Sequence, residues 1–119
     1  MSTSDPFPFF SEPCKLAFGF LVERYGFSVP DEEQIGRERF IRYQKRNKTV
    51  SIAYEPGLSP IVELFFSSRD LKNRRFPKHD VVARSKKPKR WSDHEMPDFL
   101  AATASELERN EREFLEKED

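Results

Sequence analysis

Only one cysteine, Cys14, occurs among the 119 residues, so an internal disulfide is excluded and a thiolate zinc site is disfavoured. Four glycines leave little room for a glycine-rich phosphate loop, and no G-x-S-x-G nucleophile elbow occurs. No apolar run approaches the roughly 20 residues that a membrane span needs. The opening MSTSDPFPFF lacks the basic and apolar regions of a signal peptide, so the expected location is cytoplasmic. Net charge is also missing, because 21 basic and 21 acidic side chains cancel.

That cancellation hides segregation. Residues 1–68 carry 8 basic and 9 acidic groups, 69–91 carry 10 and 2, and 92–119 carry 3 and 10. Such asymmetry calls for an internal pairing or a partner. The apolar share of 36% is low, but twelve Phe can fill a small core with few residues. The length suits a single domain over 1–119.

Residues 1–10 are expected to form a Pro/Phe-rich extended arm, with Pro6 and Pro8 among Phe7, Phe9 and Phe10 docking on the core, the alternative being an exposed aromatic-proline binding arm. A first helix is expected over 12–25, with Ser11 as N-cap and Cys14, Phe18, Leu21 and Tyr25 as its buried stripe. Gly26 before Phe27 fits a left-handed stop. Residues 28–38 read as a polar connector anchored by Val29 and Ile35. Residues 39–66 then alternate as three strands. Asn47 and Lys48 supply the first turn, and Pro56 to Pro60 the second. Val50, Ile52, Tyr54, Val62, Leu64 and Phe66 face the core, while Arg39, Arg42, Lys45, Arg46 and Lys48 give the first hairpin an exposed basic edge.

In the basic segment 69–91, residues 70–75 suit a short helical turn with Leu71 and Phe76 inward. Residues 80–83 suit a fourth short strand or a helical turn, and 86–90 an exposed loop. A C-terminal helix is expected over 97–117, after a Ser92/Glu95 capping box, with Phe99, Leu100, Thr103, Leu107, Phe114 and Leu115 on its apolar stripe. The fold class is therefore α+β: N-terminal helix, three- to four-stranded antiparallel meander, C-terminal amphipathic helix.

His79 and His94 each adjoin an aspartate, but neighbours in sequence point apart, so loop residues are the better reading than acid–base or metal chemistry. Cys14 falls on the apolar stripe and reads as a buried thiol rather than a nucleophile. The expected protein is not an enzyme and uses no cofactor or metal. The candidate partner-binding residues are Arg69, Lys72, Arg74, Arg75, Lys78, Arg84, Lys86, Lys87, Lys89, Arg90 and Trp91. This segment supports three readings: a solvated loop, a counter-charge to the acidic C-terminal helix, or a patch for an acidic protein or nucleic acid. The acidic helix would repel phosphates, which favours a protein partner.

The order LVERYGF at 21–27, RFIRYQKRNKTVSIAYEP and IVELFF, RDLKNRRFPKHD and an amphipathic C-terminal helix resembles small uncharacterised bacterial proteins of the toxin-immunity and accessory type. The resemblance implies action by binding and carries no catalytic residue. The expected function is a non-enzymatic binding protein acting through charged surface, immunity-like or accessory to a bacterial toxin system. The alternative is a nucleic-acid-binding accessory protein using 69–91.

Overall fold

The structure is a computed structural model that describes residues 10–55, 60–66, 69–76 and 95–116, with backbone alone for 69–75. Helix α1 (Ser11–Ala17) and the single turn α2 (Phe20–Glu23) precede five strands: β1 (Asp31–Ile35), β2 (Glu38–Lys45), β3 (Lys48–Tyr54), β4 (Ile61–Phe66) and β5 (Arg69–Phe76). Helix α3 (Glu95–Glu116) closes the chain. The strands form one antiparallel sheet in the order β1-β2-β3-β4-β5.

The α+β class and the order helix, meander, helix are as the sequence implies. The meander is wider than the expected three or four strands, because 31–35 and 69–76 join it at its two edges. The residues read as a polar connector contain a strand and a hairpin turn, with Gly36 at φ +61°. All five β1 residues are exposed, so no alternation marked it. Val29 and Ile35 are exposed rather than inward anchors. The helical turn expected at 70–75 is part of β5.

Directly opposed residues of antiparallel strands share a face. Pairing Ile41 with Ile52, Tyr43 with Val50, Val62 with Ile52 and Phe76 with Val62 puts these side chains on one face, and all are buried. The helices cover that face: Cys14, Phe18 and Leu21 from the first helical segment, and Met96, Leu100, Leu107 and Leu115 from α3, enter the same core. Phe10 docks there too, 5.0 Å from Tyr54 between ring centroids. Phe66, at the end of β4, remains partly exposed.

The helix expected over 12–25 breaks at Phe18–Gly19. Glycine in a helix interior costs about 1 kcal/mol relative to alanine, and a Cβ on Gly19 would lie 3.2 Å from the Lys15 carbonyl oxygen. Ser11 is the first helical residue and makes no capping bond. Gly26 has the anticipated left-handed backbone, φ +76°, and the Phe27 N–H donates to the Leu21 carbonyl at 2.9 Å. Helix α3 begins at Glu95, before the expected Pro97, and is interrupted at Glu111. Residues 1–9, the loop at 56–59, the element expected at 80–83, the loop 86–90, Ser92 and both histidines lie outside the described residues, as does 117, the expected end of the last helix.

Candidate functional site

Four of the candidate partner-binding residues, Arg69, Lys72, Arg74 and Arg75, fall on β5, an outer strand of the sheet. Lys78, Arg84, Lys86, Lys87, Lys89, Arg90 and Trp91 lie outside the described residues. The pairing of β5 is irregular. Phe65 faces Asp70 and Glu63 faces Arg75, so two steps along β4 match five along β5. Three more residues are inserted on the outer strand, within 71–74, where Lys72 and Arg74 stand. Extra residues in an edge strand bend it and interrupt its hydrogen-bonding row. Charge and a bulge on an edge also discourage addition of a foreign strand. The backbone of this outer strand is therefore irregular and not a free ladder.

The basic residues of the first hairpin behave differently, and the exposed edge expected from them is corrected. Arg39 reaches Glu32 of β1 at 3.4 Å, and Arg42 pairs with Glu33 while lying 4.8 Å from the Phe40 ring centroid. Lys48 is buried at 2% exposure and donates through Nζ to the Phe114 carbonyl at 2.6 Å. Lys45 donates to the Leu115 carbonyl at 2.8 Å and the Glu116 carbonyl at 3.4 Å. The last carbonyls of a helix have no partner within it and carry its negative dipole end, so two ammonium groups satisfy both needs at once. Arg46 takes the left-handed position of the turn, φ +54°, where Asn47 was expected to supply it.

The helical layer holds two further polar clusters. Glu108 of α3 accepts from Arg24 Nη1 and Tyr25 Oη, each at 2.8 Å. Tyr25 and Arg24, with some opposition from desolvation, hold the Glu108 carboxyl below its ordinary range. Arg24 and Glu108 of this cluster also line a groove of about 370 Å³ between the α1–α2 break and α3, together with Ala17, Gly19, Ala104 and exposed Leu16. The second cluster joins Lys15 to Glu32 at 2.7 Å. Burial pushes Glu32 up, but the Lys15 hydrogen bond, Ser11 and the charges of Lys15 and Arg39 outweigh it, leaving the carboxyl below its usual value. Cys14 beside them is fully buried. Burial, reinforced by Glu32 and opposed by Lys15, lifts its thiol well above the ordinary value, away from the thiolate a nucleophile requires.

Sequence reasoning missed β1 and with it both ion pairs of the first hairpin. The available signal was Gly36, a turn residue between two short runs, with three acids upstream and three arginines downstream. Among the described residues, no group of three or more His, Cys, Asp or Glu is placed to hold a metal ion, and no helix is long and apolar enough to cross a membrane. No protein-family model, curated protein or solved structure matches the chain.

Proposed function

We propose that the protein acts by binding, without catalysis, and that its partner is an acidic protein surface met by the basic strand β5 and the basic run that follows it in sequence. The role would be that of an immunity-like inhibitor or accessory protein of a bacterial toxin system in the cytoplasm. The observation that supports this reading most is the concentration of positive charge on and after this strand, ten bases against two acids over 69–91. Arg39, Arg42, Lys45 and Lys48 have intramolecular partners. Lys72 and Arg74 fall in an irregular stretch of β5. Clustered charge of one sign speeds and orients association with a complementary surface.

A second reading, nucleic-acid binding, draws on Phe40 and Phe65, which are half-buried on the sheet face opposite the helices. Aromatic side chains on a sheet beside basic residues suit base stacking. Fluorescence anisotropy with a labelled acidic peptide, single-stranded DNA, single-stranded RNA and duplex DNA across a salt series separates the two. The first reading expects peptide binding that Arg74→Glu with Arg75→Glu removes while the far-ultraviolet circular dichroism is unchanged. Tight binding of a nucleic acid with a steep salt slope, and none of the peptide, replaces it by the second.

A further inference from the structure

The helices send their apolar side chains to one face of the sheet. Phe40, Arg42, Glu63 and Phe65 stand on the other face, each half-buried. Aromatic surface rimmed by charge, on a sheet face turned away from the core, is the kind of surface that marks an interaction site.

The strand register arranges this face in rows, since directly opposed side chains of neighbouring strands lie side by side. One row runs Asp31, Arg42, Ser51, Glu63, Arg75 from β1 to β5. Its residues read acid, base, neutral, acid, base. Phe40, Ala53 and Ile61 make the row on one side of it, and Gln44, Thr49 and Phe65 the row on the other. Strand β3 thus gives the middle of the face only Ser51, Ala53 and Thr49, all small. Arg42 lies 4.8 Å from the Phe40 ring centroid and donates through Nη1 to Glu33. A guanidinium has five N–H donors, and the Arg42 side chain keeps 31% of its surface exposed, so it can engage a second carboxylate.

This order of charges is its own complement. A two-fold axis along β3 lays β2 of one copy over β4 of another, so that Arg42 meets Glu63 twice. Phe40 then lies over Ile61, and Phe65 over Gln44. Moving the axis to the gap on either side of β3 opposes like charges, Asp31 to Glu63 or Arg42 to Arg75. An axis across the strands at this row sets Arg42 on Arg42. We infer that this face docks a second copy of the chain, sheet on sheet, with β3 on the two-fold axis and reciprocal Arg42–Glu63 pairs beside it. Aligned sheets pack about 10 Å apart, and the small side chains of β3 keep the axis clear at that separation.

Sedimentation equilibrium across a concentration series tests the interface. The parent is expected to dimerise. Arg42→Glu and Glu63→Arg should each weaken the dimer by about a hundredfold, because each sets like charges together twice. Mixed in equal amounts, the two variants should associate again, since both contacts regain opposite signs. A parent that stays monomeric, single variants that dimerise like the parent, or a mixture of folded variants that stays monomeric would each overturn the inference. Isotope-filtered NMR on half-labelled parent needs no variant. Contacts between copies at the Phe40 and Phe65 rings are expected, and a dimer without them uses another surface and refutes this one. A monomeric parent whose ring signals shift with single-stranded RNA would refute it too, and give the face to nucleic acid.

Discussion

Lys48 stands two residues before Val50 on β3, so strand alternation puts a cation on the core face with Val50, Ile52 and Tyr54. The side chain is buried because the carbonyls at the end of α3 need donors there, and the Phe114 ring, 5.3 Å from Nζ, lies against the ammonium. Lys48→Met keeps the aliphatic stem and removes the donor. It should lower the unfolding free energy by about 1–2 kcal/mol, read as a shifted urea midpoint with an unchanged slope. Lys45→Met should cost less, since one of its bonds is to the exposed Glu116 carbonyl. Alternation would put Lys48 on the core face, but its charge led to the expectation of an exposed basic edge, and no local pattern announces a helix end arriving from 66 residues away. Lys15 and Glu32 make the pH dependence readable at the same scale. Glu32 is lowered in the fold, so the unfolded chain binds the proton more readily. The pair's contribution is present above the ordinary glutamate value of about 4.3 and is lost as pH falls through the folded value. Glu32 holds Lys15 above its ordinary value, so at the alkaline end the contribution fades as pH rises through the raised lysine value. Glu32→Gln should flatten the acid limb of stability in urea unfolding between about pH 5 and about pH 2, the range in which a salt-bridged carboxylate takes up its proton. An unchanged limb would contradict the ion pair.

Elements differ in how openly the sequence states them. The turn after α2 was readable because Gly26 is required there: φ is +76° and nothing lies within 4 Å of a Cβ built on it. Gly26→Ala should therefore destabilise by about 1–2 kcal/mol from backbone strain alone, with no clash to relieve. Differential scanning calorimetry would show it as a lower melting temperature. Strands β2, β3 and β4 were equally open, since a half-buried sheet imposes a period of two on apolar residues. The two outer strands hid for physical reasons. In β1, none of the five side chains is buried, and the strand is held by backbone pairing and by Lys15, Arg39 and Arg42 from neighbouring elements. In β5, Leu71 and Phe76 are five positions apart, an odd spacing that a regular strand cannot put on one face. The inserted residues within 71–74 break that period, and the stretch resembled a helical turn instead. The basic residues of the candidate site were countable from the chain. Which bases the fold itself engages depended on β1 and on the end of α3, and neither leaves a pattern beside the residues it meets.

At the scale of the whole molecule, charges of opposite sign pair across elements in the part of the chain where charge looked most exposed. Lys15–Glu32, Arg39–Glu32, Arg42–Glu33 and Arg24–Glu108 join different elements, so acids of β1 and α3 meet bases of α1, β2 and the end of α2. Most of these groups keep substantial solvent contact, and such pairs contribute about 0–1 kcal/mol each. The fold itself rests on one apolar core running from Phe10 to Leu115. Folding and binding should then respond to salt in different ways. Raising sodium chloride from low concentration to about 1 M, where the Debye length is about 3 Å, screens exposed pairs while strengthening or leaving intact the burial of apolar surface. The free energy of unfolding should change by less than about 1 kcal/mol across that range, because exposed pairs such as these are weak. Association with an acidic partner through Lys72, Arg74 and the bases around them should fall steeply, because the approaching charges are screened before any apolar contact forms. Urea unfolding and anisotropy measured in the same buffers compare the two directly. A steep loss of stability with salt would place the strand β5 charges inside the fold's own electrostatics, as counter-charge to α3, and remove them from the binding surface.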